Sequence, residues 1–592
     1  MAATMTPEEQ LTIEKTKLYD AYFDNLVAPD GPFPLAEEEV EHFGTVQRYR
    51  CFQRGPNSIV HFAMPEYIVD CFTRFNDREF LTYENDRLTY AQAMEAAVAL
   101  SRSIKQEFKI ERGACVAIAG RNFPEWVISL LCINGYLGAM SLPVNSWWTG
   151  DELRYGLEDS KTVLLIADLE RLQRATFLKD INVPGICFRA GSMDPPPGAR
   201  RFEELVEAGR HLLPLPLQAV TAEDHCMLMY TSGTTSKPKG VLSTHRAVVS
   251  AANYTRLLSY GLPPHVLLMA SPLFHVNGSH AGLFSAMSRG SKVCLMYKWD
   301  ALRALEIIQA EKVEAICGVP TNTYDLMNHP DLDKFDTSSM TLLGGGGAAF
   351  SAPMIKRVTQ RFKNANAGTG YGLTETNAFS VVMLTDLFPL RPTSCGRPIP
   401  YCEMCVLGEN DKKLPLGEVG ELCMRGMHIM KEYFGKPEKT AEVFHIDERG
   451  QLWFRTGDLG KIDELNFVYI LDRAKDIIIR GGENISCAEV EDAIFEHPSV
   501  AEVAAIGVPH EKLGEIVGVA VVFAAGAKQL SFEELKAHAS QRLAGFKVPA
   551  EMYVWKDDSL PRGATGKMQK REIRERVAEL RKAERGEATS KM

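Results

Sequence analysis

Apolar and polar residues change rhythm twice along the chain. Up to about residue 75 there are prolines, glycines and acidic clusters without a sustained period, which predicts an irregular leader. From Phe80 the pattern is regular. "LTYENDRLTYAQAMEAAVALSRSIKQ" predicts a β-hairpin around Asn85-Asp86, then an amphipathic helix from near Tyr90. "ACVAIAG" (Ala114 to Gly120) is a short apolar strand. "VLLIAD", "HCMLMYTSG", "HVLLMAS", "SKVCLMY", "AICGVP" and "TLLGGGG" follow, separated by helical stretches. Apolar strands bounded by Gly, Ser and Pro, with helices between them, predict layered α/β with buried, mostly parallel sheet. Around Asp472 the texture becomes short strands, tight turns and helices, which predicts a small α+β domain. The expected division is a leader over 1–75 packed on a large domain, that large domain over 76–472, and a small mobile domain over 473–592.

Two long uncharged stretches need a decision. Trp126 to Gly150 is long enough to cross a bilayer, which takes roughly 20 apolar residues. Asn134, Gly135, Gly138, Pro143 and Asn145 interrupt it, so it reads as a buried helix followed by a strand. Leu257 to Ser288 is broken by His265, His275, His280 and two prolines. No transmembrane segment is expected. The polar, acidic N-terminus lacks the basic start and apolar core of a secretory signal.

Charge narrows the partners. Lys and Arg total 66 and Asp and Glu total 76, a net of 66 − 76 = −10. Proteins that grip nucleic acid are usually basic, so nucleic acid is excluded as the main partner, while a local basic pocket for a small anion stays open. Thirteen cysteines have no repeating spacing. The pair Cys402 and Cys405 lies in what reads as a strand, with no second pair to complete a zinc site. Reduced thiols and an intracellular, cytoplasmic location are expected. The last three residues, Ser590-Lys591-Met592, differ from the peroxisomal Ser-Lys-Leu signal by one apolar residue, so a peroxisomal address stands beside an unread tail.

The candidate chemistry begins at "YTSGTTSKPKG", Tyr230 to Gly240, which leaves the end of an apolar strand. Small residues let backbone approach an anion, and hydroxyls and N–H groups donate to phosphate oxygens. The Walker A spacing is absent. With this string come "PLFHVNG" (Pro272 to Gly278), "GGGGAAFS" (Gly344 to Ser351), "GYGLTET" (Gly370 to Thr376), "GEVGELCMRG" (Gly417 to Gly426), "WFRTGDLG" (Trp453 to Gly460), "DRAKDIIIRGGENISCAEVED" (Asp472 to Asp492) and "LPRGATGKMQK" (Leu560 to Lys570). In this order and spacing they resemble the motifs of adenylate-forming enzymes, here with the texture of a fatty-acyl or aryl acyl-CoA synthetase.

That resemblance implies an ATP-dependent reaction. A carboxylic acid is joined to ATP with Mg²⁺, giving acyl-AMP and pyrophosphate; coenzyme A then displaces AMP. It implies a phosphate cradle of Thr231, Ser232, Gly233, Thr234 and Thr235 with Lys239 at its end. Glu375 matches the magnesium ligand, and one carboxylate plus substrate phosphates is a normal way to hold Mg²⁺. Thr374 resembles a phosphate-contacting hydroxyl. Gly370, Tyr371 and Gly372 match one adenine wall, and Gly346, Gly347 and Ala348 the opposite one. Asp458 matches the ribose-binding carboxylate, with Arg473 as its cationic neighbour. Lys567 matches the mobile lysine that bridges carboxylate and α-phosphate. His275 resembles the gate between acid and AMP. Asn277, Val319, Pro320, Thr321, Gly345 and Leu373 map to the acyl pocket. Gly481, Gly482, Glu483 and Asn484 match the loop on the coenzyme A path, and Lys475 the hinge.

The glycines Gly344 to Gly347 imply an open tunnel. With the absence of an aromatic residue at Asn277, this favours a medium- or long-chain fatty acid over an aryl or other small acid. Transfer to a carrier-protein thiol, or an inactive scaffold, are the rivals; the presence of Glu375, Asp458 and Lys567 argues against the scaffold. From Pro561 onward ten Lys or Arg face five Asp or Glu. That tail either attracts coenzyme A phosphates or is a solvated helix laced by i,i+4 pairs, the latter being expected beyond Lys570. A monomer and a homodimer are equally compatible with the sequence.

Overall fold

The computed structural model describes residues 6–590 except 232–236, 348–351, 474–475, 482, 525, 558 and 564–567. The chain forms two compact units. The larger takes in Met1–Phe350, Met354–Met404 and Met424–Phe454; the smaller takes in Ser351–Pro353, Cys405–Cys423 and Arg455–Met592.

The larger unit is layered α/β, as expected from the alternating apolar runs. One eight-stranded sheet runs, in spatial order, through Glu432–Tyr433, Lys239–Thr244, His225–Thr231, Met140–Val144, Cys115–Ala119, Leu164–Asp168, Gly185–Phe188 and Ala199–Arg201. Every residue of Cys115–Ala119 and Leu164–Asp168 is buried, which is why these strands read as unbroken apolar runs. A nine-stranded sheet runs through Arg397–Pro398, Val381–Met383, Asn366–Tyr371, Leu342–Gly346, Ala315–Gly318, Val266–Met269, Lys292–Leu295, Glu79–Tyr83 and Asp86–Thr89. Its six central strands, Asn366–Tyr371 through Glu79–Tyr83, are parallel, so their C-terminal ends share one edge. The hairpin at Asn85-Asp86 is present, and the helix Tyr90–Phe108 starts where expected, with Thr89 and Gln92 forming a capping box worth about 1 kcal/mol. The uncharged stretch after Trp126 is a helix, Pro124–Leu131, one wider turn over Cys132–Leu137, and the strand Met140–Val144. No helix among the described residues is long and apolar enough to cross a membrane.

The leader is not irregular. It forms the helix Pro7–Val27, a hairpin pairing Leu35–His42 with Thr45–Phe52, and the helix Met64–Arg74. The first helix escapes a hydrophobicity reading because its buried positions include Thr12 and Thr16. Its start is written in the capping box of Thr6 and Glu9. Tyr67 Oη donates to Phe284 O at 2.6 Å and Arg246 pairs with Glu38 at 3.1 Å, which ties the leader into the larger unit.

The smaller unit is α+β. Strands Val500–His510 and Gly514–Phe523 form a long antiparallel pair, flanked by Ile478–Arg480 and, in parallel, by Glu551–Val554. Alternate residues face opposite layers, as strand geometry requires. Val503, Ala505, Val517 and Val519 pack with Val490, Ile494 and Leu535. Ala504, Ile506, Ala520 and Val522 pack with Trp555, Ile573 and Val577. Two apolar faces, each closed by helix, let this unit carry its own core.

Candidate active site

Topology gathers most of the candidate residues of the larger unit. His275 and Asn277 follow the strand Val266–Met269. Val319, Pro320 and Thr321 follow Ala315–Gly318. Gly345 and Gly346 end the strand Leu342–Gly346, and Gly370 and Tyr371 end Asn366–Tyr371. These four strands are adjacent and parallel, so all these residues lie at one C-terminal edge, where open α/β sheets bind ligands. Gly372 is fixed by close approach, since a Cβ there would sit 1.4 Å from Ala378 O. Gly347 takes φ +83°.

The described ends of the phosphate-loop string belong to two paired strands. Thr231 and Lys239 are direct antiparallel partners. Ser232, Gly233, Thr234 and Thr235 lie outside the described residues. The flanks are anchored by a cluster that sequence reasoning missed. Tyr230 Oη donates to Asp159 Oδ2 at 2.6 Å, Lys436 Nζ reaches Asp159 Oδ1 at 3.0 Å, and Tyr155 Oη donates to Pro238 O at 3.3 Å. Burial, then Asp159, push the Tyr230 phenol well above its ordinary value, so it stays a donor.

Lys239 and Glu375, 136 positions apart in sequence, meet at a third residue. Tyr433 Oη donates to Glu375 Oε1 at 2.7 Å, and Lys239 Nζ lies 4.1 Å from the centre of the Tyr433 ring. Tyr433 sits on the two-residue strand Glu432–Tyr433, which pairs with the strand after the phosphate loop. The same segment holds the Glu375 backbone, because Met430 N donates to Glu375 O at 2.7 Å. Asn377, at φ +51°, donates from Nδ2 to His428 O at 3.0 Å. The turn Thr374–Thr376 is thus clamped from one side. Burial first, then Glu375, raise the Tyr433 phenol far above its ordinary value. Glu375 Oε2 has no partner among the described residues, so it remains available to a cation. Nothing in the sequence flags Tyr433, because a two-residue edge strand carries no periodicity.

Around the acyl positions, Asn277 Nδ2 donates to Ser271 Oγ at 2.7 Å and Gly318 O at 2.9 Å, tying two strand ends together. Asn277 N donates to His275 Nδ1 at 3.3 Å, which leaves the imidazole proton on Nε2. Two of the glycines expected to open a tunnel have local reasons to be small. A Cβ on Gly346 would meet Asn277 Oδ1 at 3.2 Å, and one on Gly344 would meet Ile316 O at 3.0 Å. Those two missing side chains make room for a carboxamide and for close strand packing. Asn277 Oδ1 accepts no hydrogen bond among the described residues.

The remaining candidates belong to the smaller unit. Asp458 and Arg473 are antiparallel partners and form an ion pair at 3.3 Å, with the carboxylate 5% and the guanidinium 46% exposed. Asp458 N donates to Thr456 Oγ1 at 3.1 Å, which fixes the carboxylate's backbone. Next to the segment Gly481 to Asn484, the strands Ile478–Arg480 and Glu483–Ile485 are antiparallel partners, and Gly481 takes φ +61°. Arg562 and Met568 pair across the loop that leads to the candidate lysine. Ala348, Lys475, Gly482 and Lys567 lie outside the described residues, as do Lys591 and Met592 of the C-terminal tripeptide.

Among the described residues of the basic tail, four cations pair outside their own helix. Lys570 pairs with Glu491 at 2.7 Å, Arg574 with Asp476 at 2.7 Å, Arg576 with Asp557 at 2.8 Å and Arg581 with Glu551 at 3.0 Å. These partners lie far away in sequence, so the tail's charge fastens the helix Lys570–Ser590 to its own unit.

Residues 70–434 match the profile of the AMP-binding enzymes, and residues 489–567 that of the AMP-binding enzyme C-terminal domain. A feruloyl-CoA synthase of an Amycolatopsis species is 32% identical over 496 residues, spanning 83% of this chain and 94% of that protein. The long-chain-fatty-acid–CoA ligase of Bacillus subtilis is 30% identical over 561 residues, spanning 88% and 97%. The crystal structure of ATP-bound MatB from Rhodopseudomonas palustris superposes with a TM-score of 0.75 at 28% identity, covering 86% of this chain and 98% of that one.

Proposed function

The chain belongs to the AMP-binding enzyme family and is an AMP-forming acid–CoA ligase, and from that premise we propose that its acid is a medium- or long-chain fatty acid, activated with ATP and Mg²⁺. In the first step a carboxylate oxygen attacks the α-phosphate and pyrophosphate leaves. In the second the coenzyme A thiolate attacks the acyl carbonyl and AMP leaves. The first step brings anions together, so it needs fixed cations and donors where charge accumulates.

The observation that carries the catalytic reading is the corner formed by Lys239, Tyr433 and Glu375. It sets a cation beside the phosphate loop and a carboxylate with a free oxygen next to it. Glu375 would hold Mg²⁺ there, with substrate phosphates completing the shell; the ion would supply charge neutralisation. Asp458, buried and positioned by Arg473 and Thr456, presents an acceptor suited to vicinal ribose hydroxyls. Lys567 acts in adenylation, and the loop of Gly481 to Asn484 in thioester formation, as the small domain turns about Lys475.

The fatty-acid assignment is supported by the Bacillus subtilis relative and by the apolar side chains of Val319 and Leu373 at two of the candidate acyl positions. A second reading has its own observation. The unengaged acceptor Asn277 Oδ1 suits an aryl or other small acid carrying a hydroxyl. A substrate hydroxyl that donated to it would gain a hydrogen bond worth about 0.5–1.5 kcal/mol, which would favour such an acid. Coupled AMP release across saturated chain lengths and hydroxylated aryl acids tests both. A steep optimum at medium or long chain supports the first; a clear preference for a hydroxylated aryl acid overturns it.

A further inference from the structure

A cavity of about 240 Å³ lies far from the residues above, lined among others by Arg74, Arg78, Arg256, Arg289, Phe75 and Tyr260. Its place follows from the sheet. Arg78 immediately precedes the strand Glu79–Tyr83, Arg289 precedes Lys292–Leu295, and Tyr260 precedes Val266–Met269. These three strands are adjacent and parallel, so the cavity sits at their N-terminal edge, opposite the edge that gathers the active-site candidates.

Four arginines line this space, and their neutralisation is incomplete. Asp70 pairs with Arg74 at 2.6 Å and with Arg256 at 3.1 Å, and it also holds His61 at 3.2 Å. Arg78 and Arg289 form no ion pair among the described residues. Arg78 donates to Gly290 O at 3.5 Å and lies 5.5 Å from the centre of the Phe75 ring; Arg289 donates to Pro263 O. Glu314 acts on Arg289 electrostatically. Arg256 is 3% exposed, and its Nη2 is buried without a hydrogen-bond partner. A buried donor of this kind is costly unless something accepts from it. Guanidinium forks match phosphate oxygens in pairs. The cavity is smaller than the roughly 300–1,000 Å³ of drug-sized ligand sites, so it suits a phosphate group and not a nucleotide.

We propose that this arginine-lined cavity is a second anion site, which binds a phosphate group remote from catalysis. Free phosphate and a phospholipid headgroup present the same chemistry. The test uses the full chain with its catalytic centre filled by an acyl-sulfamoyl adenosine analogue, so that phosphate cannot report on the ATP site. One arm titrates inorganic phosphate by calorimetry. The other measures co-sedimentation with phosphatidylcholine vesicles containing phosphatidic acid. The wild-type protein binds at least one probe saturably, and the affinity weakens as salt rises, because partly exposed charges are screened. Arg78→Gln with Arg289→Gln weakens it at least tenfold while the adenylation rate is unchanged. Arg289→Lys, which keeps the charge without the fork, gives an intermediate affinity and guards against a folding artefact. Binding of phosphate identifies a soluble ligand; binding of vesicles alone identifies a headgroup. The proposal is overturned if neither probe binds the wild-type protein, if binding is indifferent to salt, or if the double variant binds as tightly.

Discussion

Tyr433 Oη donates a hydrogen bond to Glu375 Oε1 at 2.7 Å while the ammonium of Lys239 rests 4.1 Å from its ring centre. One side chain therefore spaces the cation at the base of the phosphate loop from the carboxylate read as the metal ligand. Without such a spacer, a lysine and a glutamate this near could collapse into a direct ion pair, which would take both away from the nucleotide. The phenol orients one carboxylate oxygen and leaves Oε2 for a cation.

Tyr433→Phe keeps the ring beneath Lys239 and removes only the donor. Hydrogen bonds to charged groups are worth about 1.5–3 kcal/mol, so kcat/KM for pyrophosphate release falls roughly 10- to 100-fold. The Mg²⁺ concentration for half-maximal rate rises, because Glu375 is less well positioned. Tyr433→Leu, which also removes the cation–π contact, falls further. A Tyr433→Phe enzyme with unchanged rate and Mg²⁺ dependence would deny the phenol any positioning role.

Lys570 and Glu491 form an ion pair at 2.7 Å with side chains 17% and 22% exposed. Burial raises the Glu491 carboxyl; burial alone would lower Lys570, but Glu491, Cys487 and Asp472 together hold it well above the ordinary lysine value. Removing one partner strands the other. Lys570→Met should destabilise the smaller unit by about 3 kcal/mol, the lower end of the range for buried pairs, because some solvent remains. Lys570→Met with Glu491→Leu should cost less than Lys570→Met alone. Urea unfolding of the three proteins decides this, and a double variant worse than the single would show that the charge is not the issue.

Burial pushes the imidazole of His245 down to about 4, and those of His280 and His428 to about 3. An unfolded histidine titrates near 6.5. The folded form therefore binds fewer protons between these values. The stability is fully present above pH 6.5 and is lost as pH falls toward the folded values. Each pH unit in that window costs about 1.4 kcal/mol per histidine. The melting temperature should drop steeply between pH 7 and pH 5, and His245→Gln should make the drop shallower. An equally steep drop in His245→Gln would exclude this imidazole as a source.

What could be read from residues differs by element. Strands such as Leu164–Asp168, buried on both faces, leave a plain apolar run, and the hairpin at Asn85-Asp86 leaves a turn signature; both were legible. The helix Pro7–Val27 was not, because threonines occupy part of its buried face. Among the candidate site residues, Lys239, Glu375 and Asp458 were singled out by motif resemblance, which rests on local strings. Tyr433 was not, because its role comes from pairing between segments distant in sequence. Asn277 was named as a candidate for the acyl region, and its contact with Gly346 was not foreseen. Its effect on the glycine wall depends on which strand ends its amide bridges, and only the fold decides that.

The two half-reactions should separate by mutation. Lys567 is read as acting while carboxylate and α-phosphate approach, where it neutralises charge that both bring. Removing a preorganised cation from such a step costs several kcal/mol, about 10²-fold or more in rate. Lys567→Ala should therefore adenylate slowly yet convert a supplied acyl-adenylate to acyl-CoA at near wild-type rate. Gly481 lies at φ +61°, where a β-branched residue is strained, and a Cβ there would come within 3.3 Å of the Leu513 side chain. Gly481→Val should distort the turn on the coenzyme A path and spare the first step. It should form acyl-adenylate in a single turnover and then stall when coenzyme A is added. Rapid-quench measurement of both steps on both variants tests the division of labour. If Lys567→Ala slows the two steps equally, the lysine supports structure, and assigning it to adenylation alone is wrong.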